Sequence, residues 1–252
     1  MSTSIACQLY TLREFLKTPA DIAATLARVK RAGFGAVQLS ALGPIDPKEL
    51  AGILNGEGLT CCATHVGLER LRDQPQQVID EHALWNCQYT ALGHFKAASA
   101  AEWKKFAADF SAIAGKYASS PLRLGYHNHN HELVKFDGKT ALQIMLDDCS
   151  NDVWMEIDTY WIQAGGGDPC DWIRRCAGRI PCVHFKDMAV TNDRQQLMAE
   201  VGEGNLNWPG ILAACREAGV KWYIIEQDNC NGRDPFESIA ISLRNLKGMG
   251  LT

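Results

Sequence analysis

Short runs rich in β-branched and other apolar residues recur along the whole chain and predict eight strands. Continuous apolar runs of this length, bounded by turn-forming residues, are typical of strands that are covered on both faces. The runs occupy residues 5–9, 36–39, 59–64, 89–92, 123–127, 153–158, 183–186 and 223–226. Their recurrence at fairly regular intervals predicts a repeated structural unit.

Amphipathic stretches with recognisable start signals fill the intervals between these runs and predict helices. Six of them begin at a residue followed by proline, which suits the first helical turn because its missing N–H has no partner there. The six pairs are Thr18-Pro19, Asp46-Pro47, Gln74-Pro75, Asp168-Pro169, Trp208-Pro209 and Asp234-Pro235. The first of these helices is expected to run to Arg31, and two further helices are expected at residues 100–119 and 140–148.

Strictly alternating strands and helices predict parallel strands joined by right-handed crossovers. Eight such units in 252 residues match the usual length of a (β/α)8 TIM barrel. No GxGxxG sequence follows the first strand, which argues against an open dinucleotide-binding sheet. No linker or change in composition divides the chain. We therefore expect one catalytic domain spanning residues 1–252, an α/β single (β/α)8 barrel.

Composition limits the classes of partner. The formal net charge of −4 provides no basic surface for a phosphate backbone, so we expect no nucleic acid partner. No apolar stretch approaches the roughly 20 residues that cross a bilayer, so we expect no membrane partner. The N-terminal residues 1–4 lack a basic region that would open a signal peptide. Ten scattered cysteines without a CxxC pair indicate reduced thiols and a cytoplasmic protein.

Polar side chains collect at the carboxyl ends of the predicted strands, where a barrel of this type places its active site. Because side chains alternate along a strand, Asp158, His184 and Glu226 share the inward face, opposite apolar neighbours. Buried carboxylates need a cation or each other, and carboxylates with an imidazole suit one divalent ion, Mn²⁺, Mg²⁺, Co²⁺ or Zn²⁺. A single carboxylate here would more often cap a helix; it is the joint occurrence on several strands that predicts a metal site.

Several short motifs in this order resemble the xylose isomerase-like barrel superfamily. They are QLYTLR at 8–13, GYHNH at 125–129 with Glu132, DT at 158–159, HFKD at 184–187, GEG at 202–204 and IEQD at 225–228. The superfamily contains sugar phosphate isomerases and epimerases, tagatose 3-epimerase, hydroxypyruvate isomerase, inosose dehydratase and, more distantly, endonuclease IV. The resemblance spans the whole chain, and it is stronger evidence for the superfamily than for any substrate.

The resemblance implies a metal held by Glu, Asp, His and Glu from strands five to eight. The last three correspond to Asp158, His184 and Glu226. The first falls at the end of strand five, where this chain has His127; Glu132 five residues later is the preferred ligand, with His127 or His129 as the alternative. Related epimerases also carry a histidine three residues after the aspartate, where this chain has Trp161.

The resemblance further implies an isomerase or epimerase of a sugar or sugar derivative, which moves a proton next to a carbonyl through an enediolate. Glu226 and Glu132 are the expected general base and general acid, respectively, and Lys186 is the expected oxyanion stabiliser; the alternative for Lys186 is an ion pair with Glu156. The expected substrate-binding residues are Gln8, Tyr10, Arg13, His65, His127, His129 and Trp161, with Trp161 as an apolar wall.

Three other activities remain open at this point. A lyase or dehydratase acting on an inosose or keto-sugar would share the first proton transfer and then expel a substituent. A phosphodiesterase resembling AP endonuclease would need more metal ligands and a basic DNA surface, and a non-catalytic sugar-binding protein would lack a functional metal site. A small carbohydrate is the expected partner, and a homo-oligomer is consistent with the dimers and tetramers common among relatives.

Overall fold

Eight parallel strands close into a barrel in the computed structural model, which describes residues 4–251. The strands are β1 Ser4–Gln8, β2 Ala36–Leu39, β3 Thr60–His65, β4 Tyr89–Leu92, β5 Arg123–His127, β6 Trp154–Asp158, β7 Cys182–Phe185 and β8 Trp222–Ile225. Each pairs with its sequence neighbours, and β1 closes the barrel against β8. The predicted (β/α)8 fold is confirmed. Residues 1–3, which belong to the segment used to argue against a signal peptide, and residue 252 lie outside the described residues.

Eight helices connect successive strands or follow the last one, as the start signals predict. They are α1 Pro19–Arg31, α2 Pro47–Glu57, α3 Pro75–Leu84, α4 Ala100–Gly115, α5 Ala141–Asp148, α6 Pro169–Arg175, α7 Trp208–Ala218 and α8 Pro235–Gly248. The Asp46, Asp168 and Asp234 side chains each accept a hydrogen bond from a backbone N–H of the first turn, which stabilises a helix start by about 1 kcal/mol. None of the helices within residues 4–251 has the length and apolarity that crossing a membrane requires.

Loop elements at the carboxyl ends of the strands were not predicted. They comprise helical turns at Leu9–Phe15, Leu68–Asp73, His131–Leu133 and Thr159–Ala164, and antiparallel ribbons that pair Lys135–Phe136 with Lys139–Thr140 and Asp187–Val190 with Gln196–Ala199. These segments are short and lack a long apolar period, so pattern reading has little to detect.

Asp187 organises the long connection between β7 and α7. Its buried carboxylate accepts hydrogen bonds from the backbone N–H groups of Gly202 and Gly204 at 2.9 and 3.0 Å, and from the Trp208 indole at 2.6 Å. A Cβ atom at Gly204 would overlap this carboxylate, which explains why glycine occupies the position. The connection is therefore tied to the end of β7, beside the mouth of the barrel.

Apolar packing divides into two layers. Ile157, Val183 and Phe185 belong to the outer layer between strands and helices, whereas Trp154 and Cys182 belong to a smaller cluster inside the barrel. This division confirms the face assignment made from strand alternation. All ten cysteines, each within the described residues, are free thiols, and nine of them are buried.

Candidate active site

A cavity of about 620 Å³ opens at the carboxyl ends of the barrel strands. This volume lies in the range of small-molecule sites. Of the residues predicted from sequence to form the site, seven line the cavity: Tyr10, His65, His127, His129, Trp161, Lys186 and Glu226. The structure therefore brings the greater part of the predicted set to one place.

Four buried side chains meet at this cavity: His127, Asp158, His184 and Glu226. Each offers one ligand atom, and these atoms lie within 4.8 Å of one another. His184 Nδ1 is 2.8 Å from Glu226 Oε2 and 3.8 Å from Asp158 Oδ2, and His127 Nε2 is 3.5 Å from the same Asp158 oxygen. Asp158 and His184 are paired neighbours on β6 and β7, so the register of the sheet sets their proximity.

The donor atoms of this group share an unusual property. Within residues 4–251, none of His127 Nε2, Asp158 Oδ2, His184 Nδ1 and Glu226 Oε2 makes a hydrogen bond of good geometry, although Lys186 Nζ forms ion pairs with both carboxylate oxygens. Buried polar atoms are normally hydrogen-bonded, so four atoms in one place that have only ionic or misaligned contacts favour a further, common cation. Two carboxylate oxygens and two imidazole nitrogens suit a divalent transition-metal ion. The residues present therefore fit the metal that the sequence predicts.

Lys186 places a positive charge beside the same group. Its Nζ lies 2.8 Å from Glu226 Oε2, 3.1 Å from Asp158 Oδ2 and 2.9 Å from Asp228 Oδ2, and its side chain is 2% exposed. Burial alone would lower the pKa of Lys186, but the three carboxylates outweigh burial and raise it. Lys186 is therefore an ammonium group at the cavity wall. The alternative ion pair with Glu156 is not formed.

Gln38 and Glu156 hold the imidazole of His184 from behind. His184 Nε2 donates to Gln38 Oε1 at 2.6 Å and lies 3.3 Å from Glu156 Oε1, while Gln38 Nε2 donates to the same Glu156 oxygen at 2.9 Å. The other oxygen of Glu156 lies 2.6 Å from His65 Nε2. A hydrogen bond at Nε2 fixes the ring orientation and leaves Nδ1 directed at Asp158 and Glu226.

The charges of the buried groups follow from their neighbours. Burial lowers the pKa of His184, but the carboxylates of Glu156 and Glu226 dominate and raise it to about 10. Burial raises the pKa of Glu226, yet Lys186 and His184 bring it well below its ordinary value. The pKa of Asp158 is also below its ordinary value, because the charge of Lys186 outweighs the effect of burial, which would raise it. Both carboxylates are therefore ionised at neutral pH, as ligands for a cation must be, and His184 carries a proton that it would release on binding a metal ion.

Glu132 lies outside the four-residue group. Its buried carboxylate accepts hydrogen bonds from the Tyr126 hydroxyl at 2.6 Å and from the His129 backbone N–H at 2.9 Å, and it lies 3.2 Å from His131 Nε2. Burial raises the pKa of this carboxyl. Of the alternatives that the sequence left open for the first ligand, His127 is the residue placed with the other three, and Glu132 supports the loop behind it.

The remaining predicted residues lie around the rim. Gln8 is buried at the end of β1 and accepts a hydrogen bond from the Tyr10 backbone N–H. The Arg13 guanidinium stacks on the Tyr10 ring at 4.5 Å and donates to the Asp228 carbonyl oxygen at 3.0 Å. Trp161 contacts the His129 ring, with centroids 5.4 Å apart. Gln8 and Arg13 thus position Tyr10 and the segment after β8, and they are not among the residues lining the cavity.

Sequence reasoning missed several residues of the site. Asp228, Ser40 and His94 line the cavity, and Gln38 and Glu156 support His184. A sequence signal existed for three of them: Asp228 belongs to the motif at residues 225–228, and Ser40 and His94 follow predicted strands. The role of Gln38 could not be found from local pattern, because its partner Glu156 is 118 residues away.

Comparisons with known proteins give a consistent assignment. The family described as xylose isomerase-like TIM barrel matches residues 26–248. A sugar phosphate isomerase/epimerase from Parabacteroides distasonis superposes with a TM-score of 0.82 at 22% identity, covering 98% of both chains. The structure of an L-ribulose 3-epimerase gives 0.76 at 19% identity, covering 100% of this chain and 95% of the other.

A third similar structure is the IOLI protein with a bound zinc atom, with a TM-score of 0.72, 13% identity and 97% coverage of both chains. At these identities the structural likeness establishes the fold alone. A search of curated proteins gives no match. Since the family match covers most of the sequence, the chain belongs to the xylose isomerase-like TIM barrel family.

Proposed function

We propose that this protein is a divalent-metal-dependent isomerase or epimerase of a sugar or sugar derivative. The observation that carries the proposal is the group of four buried donor atoms that converge beside the cavity without a hydrogen bond of good geometry. A similar structure named L-ribulose 3-epimerase and another with a bound zinc atom support the reaction class and the metal. The ten free thiols support a reducing, cytoplasmic setting.

His127, Asp158, His184 and Glu226 would hold the metal ion. Bound there, a divalent ion acts as a Lewis acid that polarises a substrate carbonyl and acidifies the neighbouring C–H bond, an effect worth several kcal/mol. Gln38 keeps the His184 ring in the orientation that directs Nδ1 at the site, because it accepts the hydrogen bond from Nε2.

Glu226 is the proposed general base. It is the one carboxylate that both belongs to the donor group and lines the cavity. It would take the proton from the carbon beside the carbonyl and return it to the former carbonyl carbon, while the hydroxyl proton passes from one enediolate oxygen to the other; together these transfers interconvert an aldose and a ketose. Lys186 lines the cavity as an ammonium group and would stabilise the negative charge on the enediolate oxygen.

Epimerisation needs a second proton donor on the other face of the enediolate. Glu132 is proposed for this role, and to perform it the carboxylate has to leave the Tyr126 hydroxyl and turn towards the cavity. If Glu132 stays in place, its function is to position His129 through the backbone N–H. Tyr10, His65, His129 and Trp161 line the cavity and would contact the hydroxyls and ring of the sugar.

Substitution of Glu226 by glutamine tests the proposal. With a panel of ketoses and keto-inositols in D₂O, we expect the wild-type protein to yield an isomer or epimer with deuterium beside the carbonyl. Glu226→Gln should lower kcat by at least about 1,000-fold, and Glu217→Gln, a surface control paired with Arg174, should leave kcat unchanged. Proton NMR follows both reactions.

Three outcomes would contradict the proposal in different ways. Release of a substituent or formation of an enone would replace isomerisation by the lyase reaction. Full activity after removal of divalent metal would refute the metal-dependent scheme. Turnover of no substrate by a protein that retains its metal would favour a non-catalytic sugar-binding role.

A further inference from the structure

A second group of histidines lies at the rim of the same cavity and shares no residue with the first. His94 follows β4, His129 follows β5, and His131 begins the turn His131–Leu133. The ring centroids are 5.0 Å apart for His94 and His131, 5.6 Å for His94 and His129, and 5.9 Å for His129 and His131. One ligand nitrogen from each lies within 4.8 Å of the other two.

The outer contacts of His131 are those of a metal ligand. Its Nε2 donates to the Phe95 carbonyl oxygen at 2.8 Å and lies 3.2 Å from Glu132 Oε1. A metal-bound histidine usually donates its second ring nitrogen to a carbonyl or carboxylate, which fixes the tautomer and leaves the other nitrogen as the ligand. For His131 that ligand atom is Nδ1.

His129 gives a second, independent indication. Its Nδ1 is buried and has no hydrogen-bond partner within residues 4–251, and the residue lines the cavity. Glu132 holds the His129 backbone N–H, so the main chain at this position is fixed. His94 is exposed, and its side chain would have to rotate towards the other two rings to bind the same ion. Zinc–nitrogen bonds of about 2.0–2.1 Å require such an approach.

We propose that His94, His129 and His131 form a second metal site, selective for a zinc-like ion. Three imidazoles without a carboxylate favour Zn²⁺, Ni²⁺ or Cu²⁺ over Mg²⁺ and Mn²⁺. Since His94 and His129 line the cavity, the fourth coordination position faces the substrate space, as in zinc sites that keep one position open. The site would bind an oxygen of the substrate away from the reacting carbon. The site needs Glu132 to stay on the His129 backbone N–H, which the proposed epimerisation does not, but its test does not depend on turnover.

Metal stoichiometry tests this site without reference to activity. Metal-free protein is dialysed against micromolar Zn²⁺ or Mn²⁺, and bound metal is measured by mass spectrometry. We expect two zinc ions and one manganese ion per wild-type chain. His94→Ala should retain one zinc ion, and competition with a chromophoric chelator should show that its second site is weakened by at least about 100-fold.

Two variants serve as controls. Glu226→Gln should also retain one zinc ion, the one bound by the histidines. His82→Gln removes an imidazole from the core, where His82 contacts Thr64 and Val78, and should still bind two. Anomalous scattering at the zinc edge from crystals would place both ions.

The results separate this proposal from the proposed function. One zinc ion in wild type that is lost only in Glu226→Gln would overturn the histidine site and leave the first site intact. One zinc ion in wild type that is lost only in His94→Ala would support the histidine site and overturn the first site. Zinc binding that His94→Ala does not weaken, or that appears only at millimolar concentration, would also overturn the histidine site.

Discussion

Replacement of Lys186 by methionine tests whether the buried carboxylates depend on a cation. Methionine retains an unbranched apolar stem and removes the charge that contacts Asp158, Glu226 and Asp228 at 2.8–3.1 Å. The three carboxylates would then face one another with His184 as their nearest remaining cationic partner. We expect a large loss of stability in the metal-free protein.

The magnitude follows from the burial of the group. Lys186 is 2% exposed, and removing one partner from a buried ion pair costs about 3–5 kcal/mol because an uncompensated charge remains. In a domain of this size each kcal/mol lowers Tm by roughly 2–4 °C. Lys186→Met should therefore melt about 10 °C below wild type in the presence of a chelator at pH 7.5, as measured by calorimetry.

Lys105→Met is the matched control. Lys105 forms an exposed ion pair with Asp109 one helical turn away, at 2.6 Å. Such pairs contribute about 0.5 kcal/mol or less, so this variant should melt within roughly 2 °C of wild type. The comparison separates the buried charge from the general effect of replacing lysine by methionine.

Addition of a divalent metal gives the second half of the test. A ligand at 100 times its Kd stabilises the folded state by about 2.7 kcal/mol. In wild type the metal has to share the carboxylates with the ammonium group, whereas in Lys186→Met it is the main cation present. The metal-induced rise in Tm should therefore be larger in the variant. A metal-free variant that melts with wild type, or a larger rise in wild type, would refute the reasoning.

Two further predictions concern groups outside the four-residue donor group. Burial lowers the pKa of His82 from 6.5 to about 4, so the stability that its neutral form contributes is complete above pH 6.5 and is lost as the pH falls towards 4. The free energy of unfolding should fall by about 3 kcal/mol over this pH range. Urea unfolding should show this pH dependence in wild type but not in His82→Gln, and an equal dependence in both proteins would contradict the prediction. Glu132→Gln should lower the rate of epimerisation by at least about 100-fold if Glu132 is the second acid, but by less than about 10-fold if it only positions His129; rates measured on a substrate identified with wild type decide between the two.

The positions of the strands and the inward-facing residues were predictable from the sequence. Each predicted strand lies within one residue of an observed one, because short apolar runs between turn residues have few alternatives in a chain of strand–helix units. The alternation of side chains then placed Asp158, His184 and Glu226 on one face, which the structure confirms. These are consequences of local geometry, and local geometry is what a sequence pattern expresses.

The first ligand position was not predictable in the same way. Glu132 is five residues beyond His127, and its direction depends on the path of a loop, not on strand alternation. That loop forms the turn His131–Leu133, and the carboxylate of Glu132 accepts a hydrogen bond from the Tyr126 hydroxyl. Family chemistry favoured a carboxylate as ligand, whereas the chain places the imidazole of His127 beside Asp158. The positions of both side chains depend on tertiary hydrogen bonds that no local period encodes.

Hydrogen-bond satisfaction distinguishes the donor group from another cluster in the same barrel. His65, Glu156 and His184 also bring three potential ligands within 4.8 Å. Both oxygens of Glu156 are nevertheless engaged, one by the Gln38 amide at 2.9 Å and the other by His65 at 2.6 Å. A metal there would have to break bonds that already satisfy a buried carboxylate, at a cost of several kcal/mol. Proximity alone would make both clusters equal candidates, but the oxygens of Asp158 and Glu226 make ion pairs without hydrogen bonds of good geometry, so a metal there breaks fewer satisfied bonds.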